Sequence, residues 1–338
     1  MPEKIRIALD CMGGDFGAPV ALAGAELSLK RLSNVEFLAF GDLATVEPLI
    51  TTRPQLHRLT RIVHSEVVIR MDQKPAEALR HGRSKSSMAL AIDAIKRKEA
   101  DFAISAGNTG ALMALAKIKL RTTDGIARPA LAALWPSLKG ETVVLDLGAS
   151  IGADAEHLFN LAVMGGAMAR TALKIDRPTV GMLGSYFSQF DRQHHAYAAD
   201  QLLRDTQLPG LNYIGFVEGC DIGSGRVDVV VTEAFAGNVA LKSAEGTARL
   251  IQKSLQGAMR SSWSSRVGYL LARGSFSMLR TKLRPPNGAM FLGLNGTVIK
   301  SHGSADAASF ADAIAFGCKM VRAGVHSSIQ QLIQPVPV

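Results

Sequence analysis

Lys300, Ser301, His302 and Gly303 stand side by side in the stretch GLNGTVIKSHGSADA, Gly293 to Ala307. A point cation, hydroxyl donors, a titratable imidazole and a glycine-opened backbone suit a phosphate group. Asn295, just ahead of them, adds an amide. Thr297, Val298 and Ile299 read as a short buried strand. The polar residues therefore come where the chain leaves a sheet and enters a helix. Such strand ends are where open α/β sheets bind anions and substrates. An ordinary strand–loop–helix joint is the alternative for the same residues.

Three more loops carry the same kind of chemistry. DCMGGDFGAP, Asp10 to Pro19, offers tight turns at Gly13 and Gly14, with Asp10 and Asp15 able to orient a cation or act as an acid. A glycine-rich turn with an N-cap aspartate accounts for it equally. SAGNTGA, Ser105 to Ala111, places Ser105, Asn108 and Thr109 before a helix N-terminus. They suit an anion there, and they suit helix capping. TEAFAGNVALK, Thr232 to Lys242, sets Asn238 at an expected helix start with Lys242 one turn on. An amide and an ammonium four residues apart share a helix face and can stabilise an oxyanion. Surface placement is the competing reading for Lys242.

The elements that must hold these loops alternate. Strands are expected at Ile5–Leu9, Glu36–Phe40, Phe102–Ser105, Thr142–Leu147, Thr179–Leu183 and Val227–Thr232. Helices are expected at Val20–Leu32, Pro75–Lys98 with a break near Gly82, Gly110–Lys119, Ala155–Leu173, His195–Arg204, Asn238–Gln256 and Ala307–Ala323. This order predicts an α/β fold with a largely parallel sheet covered on both faces. A 47% hydrophobic content supports a sizeable core. Residues 1–325 read as one domain and 326–338 as a loose tail.

Composition and spacing exclude several classes. The three cysteines, Cys11, Cys220 and Cys318, have neither disulfide-framework nor zinc spacing, which fits a reducing cytoplasm. His194 and His195 are neighbours and would face apart on a helix, so no metal site is expected. GxGxxG, GxxxxGK[ST] and GxSxG are all missing, which disfavours dinucleotide, Walker-type and serine-elbow enzymes. No apolar run approaches the ~18 residues of a spanning helix.

The net charge of +9 is concentrated. Arg249, Lys253, Arg260, Arg266, Arg273, Arg280, Lys282 and Arg284 fall between Glu245 and Asp306, where Asp and Glu do not occur. An apolar residue recurs every fourth position from Ile251 through Leu255, Met259, Trp263 and Val267 to Leu271. Glycines 257, 268 and 274 interrupt the series. A helical hairpin over 249–285 is expected, with an apolar tip of Trp263, Leu270, Leu271, Phe276, Met278 and Leu279 flanked by Arg273 and Arg280. Such a tip suits an anionic membrane surface, and a dimer arm with a solvated basic face is the alternative. Sparse aromatic interleaving disfavours nucleic acid.

Read together, these loops resemble the bacterial phosphate acyltransferases, the PlsX family. The resemblance spans about residues 4 to 324. It rests on DCMGGDFGAP, SAGNTGA, LDLGASIGADAEHL, VEGCDIGSGRVDVVVTEAFAGNVALK and GLNGTVIKSHGSADA, in that order. It implies a Rossmann-like α/β/α sandwich akin to phosphotransacetylases and isopropylmalate-type dehydrogenases. It also implies a homodimer, a hairpin that attaches peripherally to the membrane, and no organic cofactor. The implied reaction moves an acyl chain from acyl carrier protein to inorganic phosphate. The acyl phosphate then serves a membrane glycerol-3-phosphate acyltransferase. On that reading phosphate meets Lys300, Ser301, His302 and the Ser105–Thr109 loop, while Asn238 and Lys242 face the thioester oxygen. His302 either binds phosphate or donates a proton to the leaving sulfur.

One segment departs from the pattern. After Leu183 the family reads close to NIGEE, with a lysine soon after; this chain reads GSYFSQFDRQHH, Gly184 to His195. Asp191 stands near the place of that lysine, a candidate active-site residue in the family, and Arg192 is the nearest substitute cation. Glu233-Ala234 stands where Asp-Gly is usual. Two other readings follow: a catalytically weak member that binds carrier protein and membrane, and a phosphotransacetylase-like enzyme acting on acyl-coenzyme A.

Overall fold

Short apolar runs bounded by glycine, aspartate and proline become strands, and alanine-rich amphipathic runs between them become helices. The computed structural model describes residues 4–150, 152–184, 195–206, 208–282 and 286–333. The first half contains β1 (Ile5–Asp10), α1 (Ala18–Ser28), β2 (Val35–Gly41), α2 (Leu43–Thr51), α3 (Pro54–Arg58), β3 (Thr60–His64), α4 (Pro75–Gly82), α5 (Ser87–Lys96), β4 (Phe102–Ser105), α6 (Thr109–Leu120), β5 (Ala130–Ser137) and β6 (Gly140–Leu145). There follow α7 (Ala155–Ala172), β7 (Thr179–Leu183), α8 (His195–Thr206), β8 (Asn212–Val217), α9 (Gly219–Ser224), β9 (Val229–Val231) and α10 (Ala234–Arg260). The chain closes with α11 (Trp263–Leu271), α12 (Arg273–Lys282), β10 (Gly288–Leu292), β11 (Thr297–Ser301), α13 (Ala307–Arg322) and α14 (Val325–Leu332).

Eleven strands among the described residues form one sheet in the order β3-β2-β1-β4-β11-β10-β5-β6-β9-β7-β8. The pairings β10–β11, β10–β5 and β5–β6 are antiparallel, and the others are parallel. Two parallel halves of opposite direction therefore meet across β10 and β5. Helices cover both faces: Ile7 and Leu9 of β1 enter one core and Ala8 the opposite one. β1 and β2 are buried at nearly every position, as parallel strands between two helical layers must be. The expected α/β fold with a largely parallel sheet is what the chain adopts.

Differences lie where local signals are weak. β3, β5, β8 and β10 were not expected. β5 reads ALAALWPS, whose alanines favour helix locally. It is a strand because β10 and β6 supply its ladder on both sides. α10 begins four residues before Asn238 and runs to Arg260. The expected hairpin has a two-part return arm, because α11 ends at Leu271 and α12 starts at Arg273. Residues 326–332 are not a loose tail: Val325 and Ile329, one turn apart, are buried and hold α14 against α7. Residues 334–338 lie outside the described residues, as do 185–194 of the departing segment.

Candidate active site

The boundary between the two sheet halves is the floor of a cleft of about 470 Å³. Leu131 and Ala133 of β5 and Ala289 of β10 form that floor, while α13 packs against β10 and β11. The end of β11 and the β1 loop line one wall, with Asp15, Lys300, Ser301, His302 and Gly303. The first turns of α10 line the other, with Asn238 and Lys242. Thr109, the first residue of α6, also borders it, bringing the positive end of that helix dipole.

Lys300 is 8% exposed. Its Nζ donates to the carbonyl oxygens of Ala106, at 2.9 Å, and Gly107. An ammonium has three N–H groups, so one remains for a ligand. Burial pushes the Lys300 ammonium down to about 7 against the attraction of Asp10 and Asp15, and the charge of Lys242 adds to the drop. Beside it, Ser301 is fully buried and its Oγ has no hydrogen-bond partner among the described residues. Such an orphan costs about 1–3 kcal/mol unless something meets it. A buried cation, an unmatched hydroxyl and a helix N-terminus are complementary to an oxyanion.

His302 is fixed from both sides. The Ser304 amide donates to Nδ1 at 3.2 Å, and Ser304 Oγ lies 3.0 Å from that nitrogen. This network assigns the ring proton to Nε2, which lies 3.4 Å from Glu245 Oε2. Lys242 donates to the same carboxylate at 3.0 Å, and its Nζ is 3.4 Å from His302 Nε2. Glu245 is 5% exposed. Burial pushes its carboxyl up, yet the hydrogen bonds from His302 and Lys242 outweigh this and hold it at about 2. The Glu245 carboxylate therefore ties the β11 wall to the α10 wall. Sequence reasoning missed this residue. Its spacing, three after Lys242 and four before Arg249, was the available signal.

Several of the expected ligands are hydrogen-bonded within the protein. Asp10 is buried behind the cleft, accepting from Ser87 Oγ at 2.7 Å and Ser105 Oγ at 2.6 Å. Burial raises its pKa against those hydrogen bonds. Ser105 is thereby engaged, and it also accepts from Gly107 N at 2.9 Å. Gly13 packs into this junction, where a Cβ would lie 2.6 Å from Asp10 Oδ2 and 2.7 Å from Gly107 N. Gly14 lies against Ala106 and Gly303, and the Asp15 amide donates to Gly303 O at 2.9 Å. Asn108 caps α6, accepting from Ala111 N at 3.0 Å, while its amide donates to Met71 O at 2.8 Å and Gln73 O at 3.1 Å. Capping is thus its observed role, for both ends of the amide are occupied. Asn295 precedes β11, whereas Lys300 and Ser301 are its last two residues, and the Asn295 amide donates to Thr122 O at 3.0 Å. It is not among the residues lining the cleft.

On the α10 side, Asn238 and Lys242 share a face as expected, but Asn238 is inside the helix and not at its start. The approach of α10 is close: a Cβ on Gly237 would stand 1.9 Å from Asp146 O. Asp146 itself organises the loop after β6, accepting from the amides of Gly148, Ala149 and Ser150. The basic helices leave Trp263 80% and Leu271 83% exposed, with Leu270 and Met278 also exposed. Phe276 instead packs on Tyr269 at 5.2 Å between ring centres, while Leu279 is exposed as expected and also borders an inner groove. The side chain of Arg280 is outside the described residues. Among the described residues no helix is long and apolar enough to cross a membrane, and no cluster of His, Cys, Asp or Glu has metal-holding geometry.

An α/β sandwich that gathers a buried ammonium, an orphan hydroxyl and a helix start in one cleft belongs to the phosphate-handling enzymes. Residues 5–328 match the family model described as fatty acid synthesis protein. The phosphate acyltransferase of Nitrobacter hamburgensis is 52% identical over 98% of this chain and 95% of its own. That of Azorhizobium caulinodans is 53% identical over 98% and 94%. A phosphotransacetylase from Streptococcus pyogenes shares the fold with a TM-score of 0.62, at 17% identity over 95% of each chain. The chain belongs to the phosphate acyltransferase family of fatty acid and phospholipid synthesis.

Proposed function

We propose that this acyltransferase moves a fatty acyl group from acyl carrier protein to inorganic phosphate. One observation carries the reading: the orphan Ser301 hydroxyl beside the buried Lys300 ammonium, in the same cleft as Asn238 and Lys242. Phosphate takes the free N–H of Lys300 and the Ser301 hydroxyl. A phosphate oxygen attacks the thioester carbonyl, and the resulting oxyanion is met by the Asn238 amide and the Lys242 ammonium. Carbonyl re-formation breaks the carbon–sulfur bond. The Nε2–H of His302 lies beside Lys242 and hydrogen-bonds to the departing thiolate, which takes up, through solvent, the proton that the attacking hydrogen phosphate loses. Glu245 stays a carboxylate throughout and keeps the His302 ring and the Lys242 ammonium in place. A thiol leaves readily, its pKa being about 8.5, so alignment and oxyanion stabilisation are the main demands on the protein.

The exposed apolar tip and its arginines support peripheral attachment to an anionic membrane. There the acyl phosphate would pass to a membrane glycerol-3-phosphate acyltransferase. Homodimerisation is part of the same proposal, as is the absence of an organic cofactor. The test is phosphate-dependent thiol release from palmitoyl-acyl carrier protein, with acyl phosphate as product. Faster release from the coenzyme A thioester would favour the phosphotransacetylase-like alternative. A folded protein that binds carrier protein without releasing thiol would favour the catalytically weak alternative, which the departure at Gly184–His195 motivates.

A further inference from the structure

A second cavity, about 340 Å³, opens between α10 and α12 and shares Glu245, His302 and Ser304 with the catalytic cleft. Its apolar lining comes from Ile251, Leu255 and Met259 of α10, Tyr269 of α11, and Phe276 and Leu279 of α12. Along α10 the lining residues Glu245, Ala248, Gln252, Leu255 and Met259 recur at alternating steps of three and four, which keeps them on one face. α11 packs against both α10 and α12, and the groove lies between those two helices and the turn into α13 with its first residues, where Ala305, Asp306 and Ser309 line it. It is thus a trough that begins at the reacting groups and runs outward along α10, with apolar side chains of α10, α11 and α12 in its lining.

We propose that this groove holds the acyl chain of the donor and sets the chain length the enzyme accepts. The proposal rests on the acyltransferase reading above. The occupant follows from continuity: a thioester carbonyl at Asn238, Lys242 and His302 has its alkyl chain at the mouth shared by the two cavities. The length fits as well. From Glu245 to Met259 the helix rises about 21 Å, while one acyl layer of a bilayer is about 15 Å deep, half of a ~30 Å hydrocarbon core. Polar residues, Arg249, Gln252 and Asp306 among them, share the lining with the aliphatic and aromatic ones. Chain length is selected by how far the groove runs from His302.

A ladder of tryptophans tests this. Ala248→Trp, Leu255→Trp and Met259→Trp block the groove at increasing distance from His302, with spacings of about 10 Å and about 6 Å. None of the three residues belongs to the reacting groups. kcat/KM is measured for butanoyl to octadecanoyl thioesters of acyl carrier protein. The expected result is an ordered series: the block at 248 lowers kcat/KM at least tenfold for all but the shortest donors. The blocks at 255 and 259 spare progressively longer ones, and butanoyl transfer stays within twofold for the two outer variants. Equal losses at every length, or none, would overturn the proposal. Binding of S-butyl and S-hexadecyl pantetheine thioethers gives a readout independent of turnover. Each methylene entering the groove adds about fourfold in affinity, so the wild-type protein binds the hexadecyl form at least a hundredfold tighter. If wild-type protein releases no thiol yet shows this preference, the proposed reaction fails and the groove stands. If it releases thiol but binds both thioethers alike, the groove is overturned as the chain site.

Discussion

Replacing Lys300 with methionine makes a sharp prediction about stability, because the ammonium is held at about 7 by burial. The drop from 10.5 corresponds to roughly 5 kcal/mol that the fold bears while the amine is charged. The sign follows from linkage. Below about pH 7 the amine is protonated folded and unfolded, so the whole cost is present. Between about 7 and 10.5 only the unfolded chain stays protonated, so stability rises with pH; above that range the cost vanishes. From pH 6 to pH 9 the wild-type protein therefore gains roughly 2.5 kcal/mol relative to Lys300→Met. Urea denaturation at fixed protein concentration across this range measures the difference. Phosphate supplies the missing counter-charge, so saturating phosphate at pH 6 stabilises the wild-type protein and leaves the variant within about 0.5 kcal/mol of its phosphate-free value. A wild-type-minus-variant difference that stays flat with pH would refute the buried-ammonium reasoning. So would equal stabilisation of both proteins by phosphate.

The other predictions concern neighbouring groups. Ser301→Ala removes an unpartnered buried hydroxyl, so melting shows the apoprotein unchanged or stabilised by up to about 1 kcal/mol, while the phosphate KM rises about tenfold. Glu245→Gln abolishes an acid-sensitive contribution. The carboxyl at about 2 against an ordinary 4.5 is worth roughly 3 kcal/mol above pH 5, lost as pH falls toward 2. Acid denaturation therefore shows the gap between wild type and variant closing below about pH 4, and steady-state assays show a lower kcat because His302 and Lys242 lose their shared partner. Asn108→Ala costs about 1–2 kcal/mol of stability as a lost helix cap, with the phosphate KM within twofold. A tenfold KM change there would restore the anion-binding role.

Lys300, Ser301, His302, Asn238 and Lys242 were legible in the chain, because polar residues after short apolar runs stand out against a sheet. The strands β1, β2, β4, β6, β7 and β9 were legible for the same reason, since continuous apolar runs survive only when buried on both faces. Periodicity likewise located α7 and α13. What those residues would be used for was less accessible. Ser105, Asn108 and Asp10 have the chemistry of ligands, yet each is held by a partner distant in sequence: Ser105 and Asp10 by one another, Asn108 by the carbonyls of Met71 and Gln73.

By itself the sequence determined the strand–helix alternation, the concentration of positive charge on α10 to α12, and the residue types able to meet phosphate. These depend on periodicity and composition, which act within a few residues. Only the tertiary structure decided that β10 and β5 join two sheet halves of opposite direction, since an alanine-rich strand is specified by the neighbours that complete its hydrogen bonds. It alone brought Glu245 within 3.4 Å of His302 and left Ser301 buried without a partner. Burial and pairing are properties of contacts far apart in the chain, and no local pattern encodes them.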